Sequence, residues 1–252
     1  MTKVRAKKHL GQHFLKDVNI AQDIAHSVSP QKTILEVGPG MGILTQYLLP
    51  LESELFVVEI DTESVRYLKT HFPALENHII SGDFLKLPIN TIFDHPIGLI
   101  GNFPYNISSQ ILFKALEHKE TITEIVGMFQ KEVAQRVCSK PGNKSYGIIS
   151  VLLQCYFHVE YLFTVDEEVF DPPPKVKSAV IRLTRNDRHT LPCDEALFIK
   201  VVKTAFGLRR KTLRNALKSL QMTDQNKAKK YLELRAEQLT VHDFFELTQC
   251  FE

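Results

Sequence analysis

The sequence predicts an α/β fold in which a mostly parallel sheet, with an antiparallel hairpin at one edge, is followed by a small helical domain. Three observations carry this reading. Short β-branched or apolar runs alternate with amphipathic stretches through the first 185 residues, the pattern of βαβ units with right-handed crossovers. The last two runs are separated by little more than Pro172-Pro173-Pro174 and its flanks, which is too short for a crossover and suits an antiparallel pair. After Arg185 the pattern is helical alone.

The predicted strands lie near Ile34–Gly38, Leu55–Ile60, His78–Ser81, Ile97–Gly101, Glu124–Phe129, Tyr161–Val165 and Ala179–Leu183. Amphipathic stretches such as Leu44–Leu49 and Glu63–His71 fall between the early ones. Asn186–Asp194 is polar, contains Pro192, and reads as a linker that divides residues 1–185 from residues 186–252. Beyond it, Phe198, Val201, Val202, Ala205 and Phe206 share one helical face, and Leu213, Ala216, Leu217 and Leu220 share another. Thr240, with Asp243 three residues on, predicts the capped start of a final helix. A helical domain this small is expected to lean on the first.

At 252 residues, 44% hydrophobic and 24% charged, the chain is neither disordered nor collagen-like. No apolar run approaches the ~18 residues of a membrane-spanning helix, so a soluble protein is expected. The basic amino terminus has no apolar stretch behind it, which argues against a secretory signal. A mitochondrial transit peptide is the weaker alternative, since the segment contains almost no serine. Cys138, Cys155, Cys193 and Cys250 are widely spaced, forming neither a zinc framework nor a disulfide staple, and fit a reducing cytoplasm. His9 and His13 supply two metal ligands at most, too few for a metal site.

The net charge of +2 conceals an asymmetry. Residues 1–16 hold Lys3, Arg5, Lys7, Lys8 and Lys16 and no acid. Residues 200–235 hold eleven Lys/Arg against Asp224 and Glu233. With +5 and +9 in those stretches, a total of +2 leaves −12 elsewhere. Two basic ends predict a polyanionic partner; the plainer alternative is a solvated helix face.

Ile34 to Gly42 runs from a strand into a glycine-rich turn. Its spacing is GxGxG, with Ile43 where a dinucleotide fingerprint has its last glycine, so a pyrophosphate cradle is disfavoured. Glu59 ends the next strand, where an acid can accept from both hydroxyls of a ribose. Asp83 follows the third strand. In a parallel sheet all three positions meet at the carboxyl edge beside the topological switch point, which predicts a nucleoside-containing cofactor.

The fourth strand ends Gly101-Asn102-Phe103-Pro104-Tyr105. Read alone, this is a turn. It also suits attack by the exocyclic amine of adenine, whose lone pair is delocalised into the ring. An Asn carbonyl and a backbone carbonyl can accept from the two amine hydrogens and restore that lone pair. Tyr105 would stack on the base, worth ~1–3 kcal/mol. A methyl on a sulfonium needs no acid to leave, so catalysis here is positioning for in-line attack.

These blocks, with KHLGQHFL (8–15), EVGPGMGILT (36–45), VVEID (57–61), GNFPYNIS (101–108), MFQKEVAQR (128–136), YGIISV (146–151), Pro172–Ser178, AFGLRRKTLRNAL (205–217) and RAEQLTVHDFFEL (235–247), resemble the ribosomal RNA adenine dimethyltransferases. Nearly the whole chain matches, and the type it resembles is the small-subunit dimethyladenosine transferase associated with kasugamycin sensitivity. The resemblance implies a Rossmann-like, seven-stranded class I methyltransferase sheet and S-adenosylmethionine as cofactor. It places cofactor contacts on His13, Leu15, Gly38, Glu59, Asp83 and Asn102, and catalysis on Asn102, Pro104 and Tyr105. Two positions depart from the family pattern: His13 stands where Asn is common, and Phe103 where Leu is common.

The implied substrate is a pair of adjacent adenosines in a hairpin near the 3′ end of small-subunit ribosomal RNA, within a pre-ribosomal particle. The expected enzyme is a cytoplasmic monomer that takes part in small-subunit biogenesis, with no membrane partner. Arg209, Arg210, Lys211, Arg214 and Lys218 recur at helical spacing and are expected to grip RNA phosphates. If about five phosphates are neutralised, affinity falls with salt at a log–log slope near about −4. Lys144 and Pro172–Lys177 are as well explained by a rigid surface loop. The alternatives are an assembly factor acting by RNA binding, or a large-subunit methyltransferase of the macrolide-resistance type. A nicotinamide enzyme comes last, because the glycine spacing is wrong.

Overall fold

Five buried residues in a row make β2 (Thr33–Val37) a strand covered on both faces, as strands of a helix-flanked parallel sheet are. The computed structural model describes residues 4–252, so Lys3 of the basic start lies outside the described residues. Before β2 come the short β1 (Phe14–Leu15) and α1 (Val18–His26). Asp17 starts α1 by accepting from the backbone N–H groups of Asn19 and Ile20, the usual cap of an N-terminus.

After β2 the chain alternates through α2 (Thr45–Leu48), β3 (Glu54–Glu59), α3 (Thr62–His71), β4 (Ile79–Ser81), α4 (Ile89–Ile92), β5 (Ile97–Asn102), α5 (Ser108–Glu117) and β6 (Ile122–Gln130). Then follow α6 (Lys131–Val137), α7 (Ile148–Tyr156), β7 (Phe157–Val165), β8 (Phe170–Asp171) and β9 (Ser178–Arg185). The helices α8 (Glu195–Gly207), α9 (Leu213–Ala216), α10 (Gln225–Leu232) and α11 (Val241–Thr248) complete it.

Seven strands form one sheet in the order β4-β3-β2-β5-β6-β9-β7. Neighbours from β4 to β6 are parallel, whereas β9 runs antiparallel to β6, from Glu124 opposite Thr184 to Gln130 opposite Ser178. All seven predicted strands are present. The last two are neighbours at one edge, and the antiparallel β9 is the inner of the pair. From β2 the chain winds outward to β4 and then returns to β5 on the other side of β2. That reversal opens a crevice beyond the carboxyl ends of β2 and β5. A separate ribbon pairs β1 with β8, Phe14 opposite Asp171 and Leu15 opposite Phe170.

The chain divides into two units, residues 4–134 with 159–185 and residues 135–158 with 186–252. The break after Arg185 is where the polar linker begins, but residues 135–158 group with the helical unit. The reason lies in α7, where seven of nine residues are buried, Ile149, Val151 and Leu153 among them. A helix apolar on nearly every side needs partners all round, and it packs on α8 and α11. The second unit's core includes Phe198 against Phe245 at 5.1 Å and Phe206 against Phe244 at 5.9 Å between ring centroids. The Thr240 hydroxyl oxygen accepts from the Asp243 N–H and the Thr240 backbone N–H donates to the Asp243 carboxylate, closing the expected capping box on α11. No helix among the described residues is long and apolar enough to cross a membrane.

Candidate active site

The glycine turn leaves β2 at Val37. Gly38 has φ +68° and Gly40 φ +57°, left-handed conformations that a side chain disfavours. Nothing lies within 4 Å of where a Cβ on Gly38 would stand, whereas one on Gly40 would meet the Phe14 ring at 2.9 Å. The turn is thus held open on one side and closed against β1 on the other. It forms one wall of an open cleft that the ends of β3, β4 and β5 and the segment from Leu10 to Phe14 also line.

Glu59, at the end of β3, is 3% exposed. One carboxylate oxygen accepts from the Gly40 N–H at 3.0 Å and the other from the Asp61 N–H at 2.8 Å. Burial pushes its pKa up, and those two backbone donors oppose the rise. A carboxylate offers about four lone-pair sites, so two remain for a ligand. Asp61 in turn caps α3 through the Glu63 N–H and is bound by the Lys7 ammonium. Burial acts upward on Asp61 but is outweighed by Lys7 and the Glu63 N–H, and its carboxyl is held low. Lys7 also reaches Glu63 at 3.3 Å, so this member of the basic start is committed to an intramolecular pair. Its backbone N–H donates to the Gln12 side chain at 2.8 Å, bracing the segment that lines the cleft from Leu10 to Phe14.

Below this wall lies Glu36, 1% exposed, which accepts from the Thr45 hydroxyl at 2.6 Å. Burial pushes it up to about 8, the Thr45 bond opposes this, and the Glu59 charge adds to it. A free glutamate titrates at 4.5, so between about pH 4.5 and 8 the unfolded chain releases a proton that the folded chain keeps. The stability due to neutral Glu36 is full below that window and declines as pH rises through it, by at most about 1.4 kcal/mol per pH unit. We expect Glu36→Gln to flatten the fall of Tm from acidic to mildly alkaline pH. An unchanged profile would mean that the carboxyl is already ionised in the fold.

Asp83 lines the cleft after β4 and caps the turn Phe84–Lys86 by accepting from the Leu85 N–H at 2.9 Å. Asn102, at the end of β5, donates its side-chain amide N–H to the His13 backbone carbonyl at 3.0 Å. A carbonyl can only accept, so the amide nitrogen must face it. The Asn102 carbonyl oxygen is thereby directed elsewhere as an acceptor. Pro104 and Tyr105 follow along the cleft. The Tyr105 hydroxyl is bonded to the Ser178 hydroxyl at the start of β9, and burial pushes its pKa up while that bond opposes the rise. The His13 ring stacks on Tyr105 with centroids 5.4 Å apart and planes at 27°. Its Nδ1 donates to the Pro172 carbonyl at 2.7 Å.

The cleft therefore gathers His13, Gly38, Glu59, Asp83, Asn102, Pro104 and Tyr105. Leu15 does not line it: the side chain is 4% exposed and sits in the apolar core beneath, because pairing with Phe170 turns it inward and Phe14 outward. Residues the sequence did not single out also line the cleft, Gln12, Ile60 and Leu85 among them. Ile60 had a visible signal, an isoleucine beside Glu59, and it stands 51% exposed.

The five basic residues assigned to RNA lie in the second unit on three separate pieces of chain, not on one helix. Arg209, Arg210 and Lys211 form the turn between α8 and α9, Arg214 is in α9, and Lys218 follows it. Gly207 ends α8, and Thr212, in an extended conformation, starts α9. Arg209 pairs with Glu237 at 2.7 Å and also bonds the Lys144 carbonyl. Arg214 pairs with Glu233. Arg210, Lys211 and Lys218 are exposed, and their side chains make no ion pair among the described residues.

A sheet wound in this order, with its cleft at the switch point, is that of the class I methyltransferases, which use S-adenosylmethionine. The residues present fit that cofactor: an open glycine turn for close approach, a buried carboxylate with spare acceptor sites for the ribose, and Asp83 at the next strand end. The family model described as Ribosomal RNA adenine dimethylase matches residues 3–252, and the chain belongs to that family. It is 58% identical over 252 residues to the ribosomal RNA small subunit methyltransferase A of Cytophaga hutchinsonii, covering 98% of each chain. It is 56% identical to the protein of that name from Flavobacterium johnsoniae, covering 100% of this chain and 98% of that one. In fold it resembles a dimethyladenosine transferase from Plasmodium falciparum, with a TM-score of 0.79 at 24% identity over 95% of this chain and 99% of that one. The 23S rRNA methyltransferase ErmE superposes with a TM-score of 0.70 at 25% identity, covering 94% and 99%.

Proposed function

We propose that this enzyme transfers methyl groups from S-adenosylmethionine to the exocyclic amines of two adjacent adenosines near the 3′ end of small-subunit rRNA. The products are dimethyladenosines, and the substrate is the RNA within a pre-ribosomal particle, met in the cytoplasm by a monomer. The observation that carries the reading is the Asn102 amide, anchored through its nitrogen to His13 so that its oxygen remains to accept. The relatives named as small-subunit methyltransferases support the small-subunit substrate over the large-subunit alternative.

The cofactor, when bound, supplies an electrophilic methyl on a sulfonium sulfur. Everything else is done by the chain. Glu59 accepts from ribose hydroxyls, Gly38 permits close approach, and Asp83 presents its remaining carboxylate oxygen. Asn102 accepts from the target amine and draws its nitrogen toward tetrahedral geometry. Tyr105, fixed at its ring by His13 and at its hydroxyl by Ser178, presents a flat face for the adenine. With reactants aligned in this way, most of the acceleration comes from orientation.

The direct test is tritiated methyl transfer from S-adenosylmethionine to immature small subunits lacking these methyl groups, with nucleoside analysis of the product. Dimethyladenosine is the expected result. Tight, salt-sensitive binding without transfer would favour the assembly-factor reading. In the same binding assay, we expect replacing Arg209, Arg210 and Lys211 together to weaken RNA binding and to flatten its salt slope by about two to three units. Arg210→Ala with Lys211→Ala should account for most of that change, since Arg209 is engaged with Glu237. Unaltered binding would leave these charges on a solvated face.

A further inference from the structure

We infer that Phe103 is the positioning residue of the catalytic loop, and that its ring occupies the space a side chain on Gly127 would need and, together with the Val37 carbonyl, the space one on Gly101 would need. The inference rests on the proposed role of Asn102 and Tyr105 and names what holds them in place.

Gly101 on β5 and Gly127 on β6 are direct partners in the parallel pairing. Neither has a positive φ, so backbone conformation does not demand glycine at either position. Space does. A Cβ on Gly101 would stand 2.9 Å from Cε1 of Phe103 and 2.7 Å from the Val37 carbonyl. A Cβ on Gly127 would stand 2.6 Å from Cδ2 of the same ring and would overlap its Cε2. The two strands therefore present a notch at one level of the sheet, and a single aromatic side chain fills it. Phe103 is 1% exposed, its N–H donates to the Met128 carbonyl at 3.2 Å, and its ring lies 4.9 Å from that of Phe129.

Phe103 stands between Asn102 and Pro104-Tyr105. Fixing its ring in the sheet and its N–H on the neighbouring strand leaves the flanking residues little freedom. A loop that works by orientation gains most from such an anchor, since a displacement of about 1 Å costs on the order of 10²-fold in rate. A leucine at 103 would leave part of the notch empty, and a methyl at 127 would fill part of that void, so the two positions should compensate each other.

The test compares Gly127→Ala, Phe103→Leu and the double variant for kcat, cofactor dissociation constant, Tm, and hydrogen exchange of backbone amides from 101 to 107. Gly127→Ala should lower kcat on the order of 10²-fold while the cofactor constant stays within about threefold. It should also raise exchange across the loop. The double variant should recover most of both losses, to within about threefold of Phe103→Leu alone. If Gly127→Ala does not fold, recovery of a folded, active double variant carries the same conclusion. Wild-type kcat and unaltered loop exchange in Gly127→Ala would overturn the inference, as would a double variant no better than Gly127→Ala. If the wild-type protein transferred no methyl group to RNA, the functional reading would fall, and loop exchange would still decide the anchor.

Discussion

Asn102→Ala is expected to abolish methyl transfer while cofactor binding stays within about tenfold, or ~1.4 kcal/mol. Among the described residues the side chain makes one bond, from its amide nitrogen to the His13 carbonyl, and its oxygen is the acceptor proposed for the amine. Truncation removes that acceptor and also releases the loop from His13, so both effects fall on kcat. Single-turnover transfer measured beside equilibrium dialysis of labelled cofactor separates the two constants. Near-normal turnover in this variant would end the amine-activation account. Asn102→Asp adds a test of sign, because a carboxylate would set negative charge against the His13 carbonyl and splay the clamp. It should be as inactive as the alanine variant.

Glu59→Ala is expected to raise the cofactor dissociation constant about 100-fold and to leave RNA affinity unchanged. Two hydrogen bonds from ribose hydroxyls to a charged acceptor are worth about 3 kcal/mol together, which corresponds to that factor. Glu59→Gln should be nearly as damaging. Both oxygens already accept backbone N–H groups, from Gly40 and Asp61, so an amide would turn an N–H₂ against one of those donors. Calorimetric titration of each variant with the cofactor reads the effect directly. An unchanged constant in both would remove Glu59 from the site.

Strands buried on both faces write themselves into the sequence as mostly apolar runs, which is why β2 and β5 were legible together with the edge where Gly38, Glu59, Asp83 and Asn102 meet. What stayed hidden depends on partners far along the chain. Two residues, Phe14 and Leu15, carry no period, so which of them faces the cleft is decided only by pairing with Phe170 and Asp171. Helix α7 is apolar on almost every side, and periodicity cannot say which layer claims it. Charge counting marked Arg209 and Arg214 as free cations, but the fold sets Glu237 and Glu233 against them from 28 and 19 positions away. Glu36 passed as an ordinary strand residue, since nothing in its local sequence reveals the burial that shifts it.

The β1–β8 ribbon has a consequence for the order of events during synthesis. His13 and its partner Pro172 are separated by 159 positions, and Ser178, which holds Tyr105, emerges later still. The parallel core from β2 to β6 can assemble from contacts of shorter range, whereas closing so long a loop comes late on entropic grounds. A nascent chain halted before residue 170 would contain every strand-end residue of the cleft yet lack the far half of the ribbon that seats Phe14. The wall of the cleft built from His13 and Tyr105 is thus anchored only after Ser178 has emerged, later than the wall built from Gly38, Glu59 and Asp83.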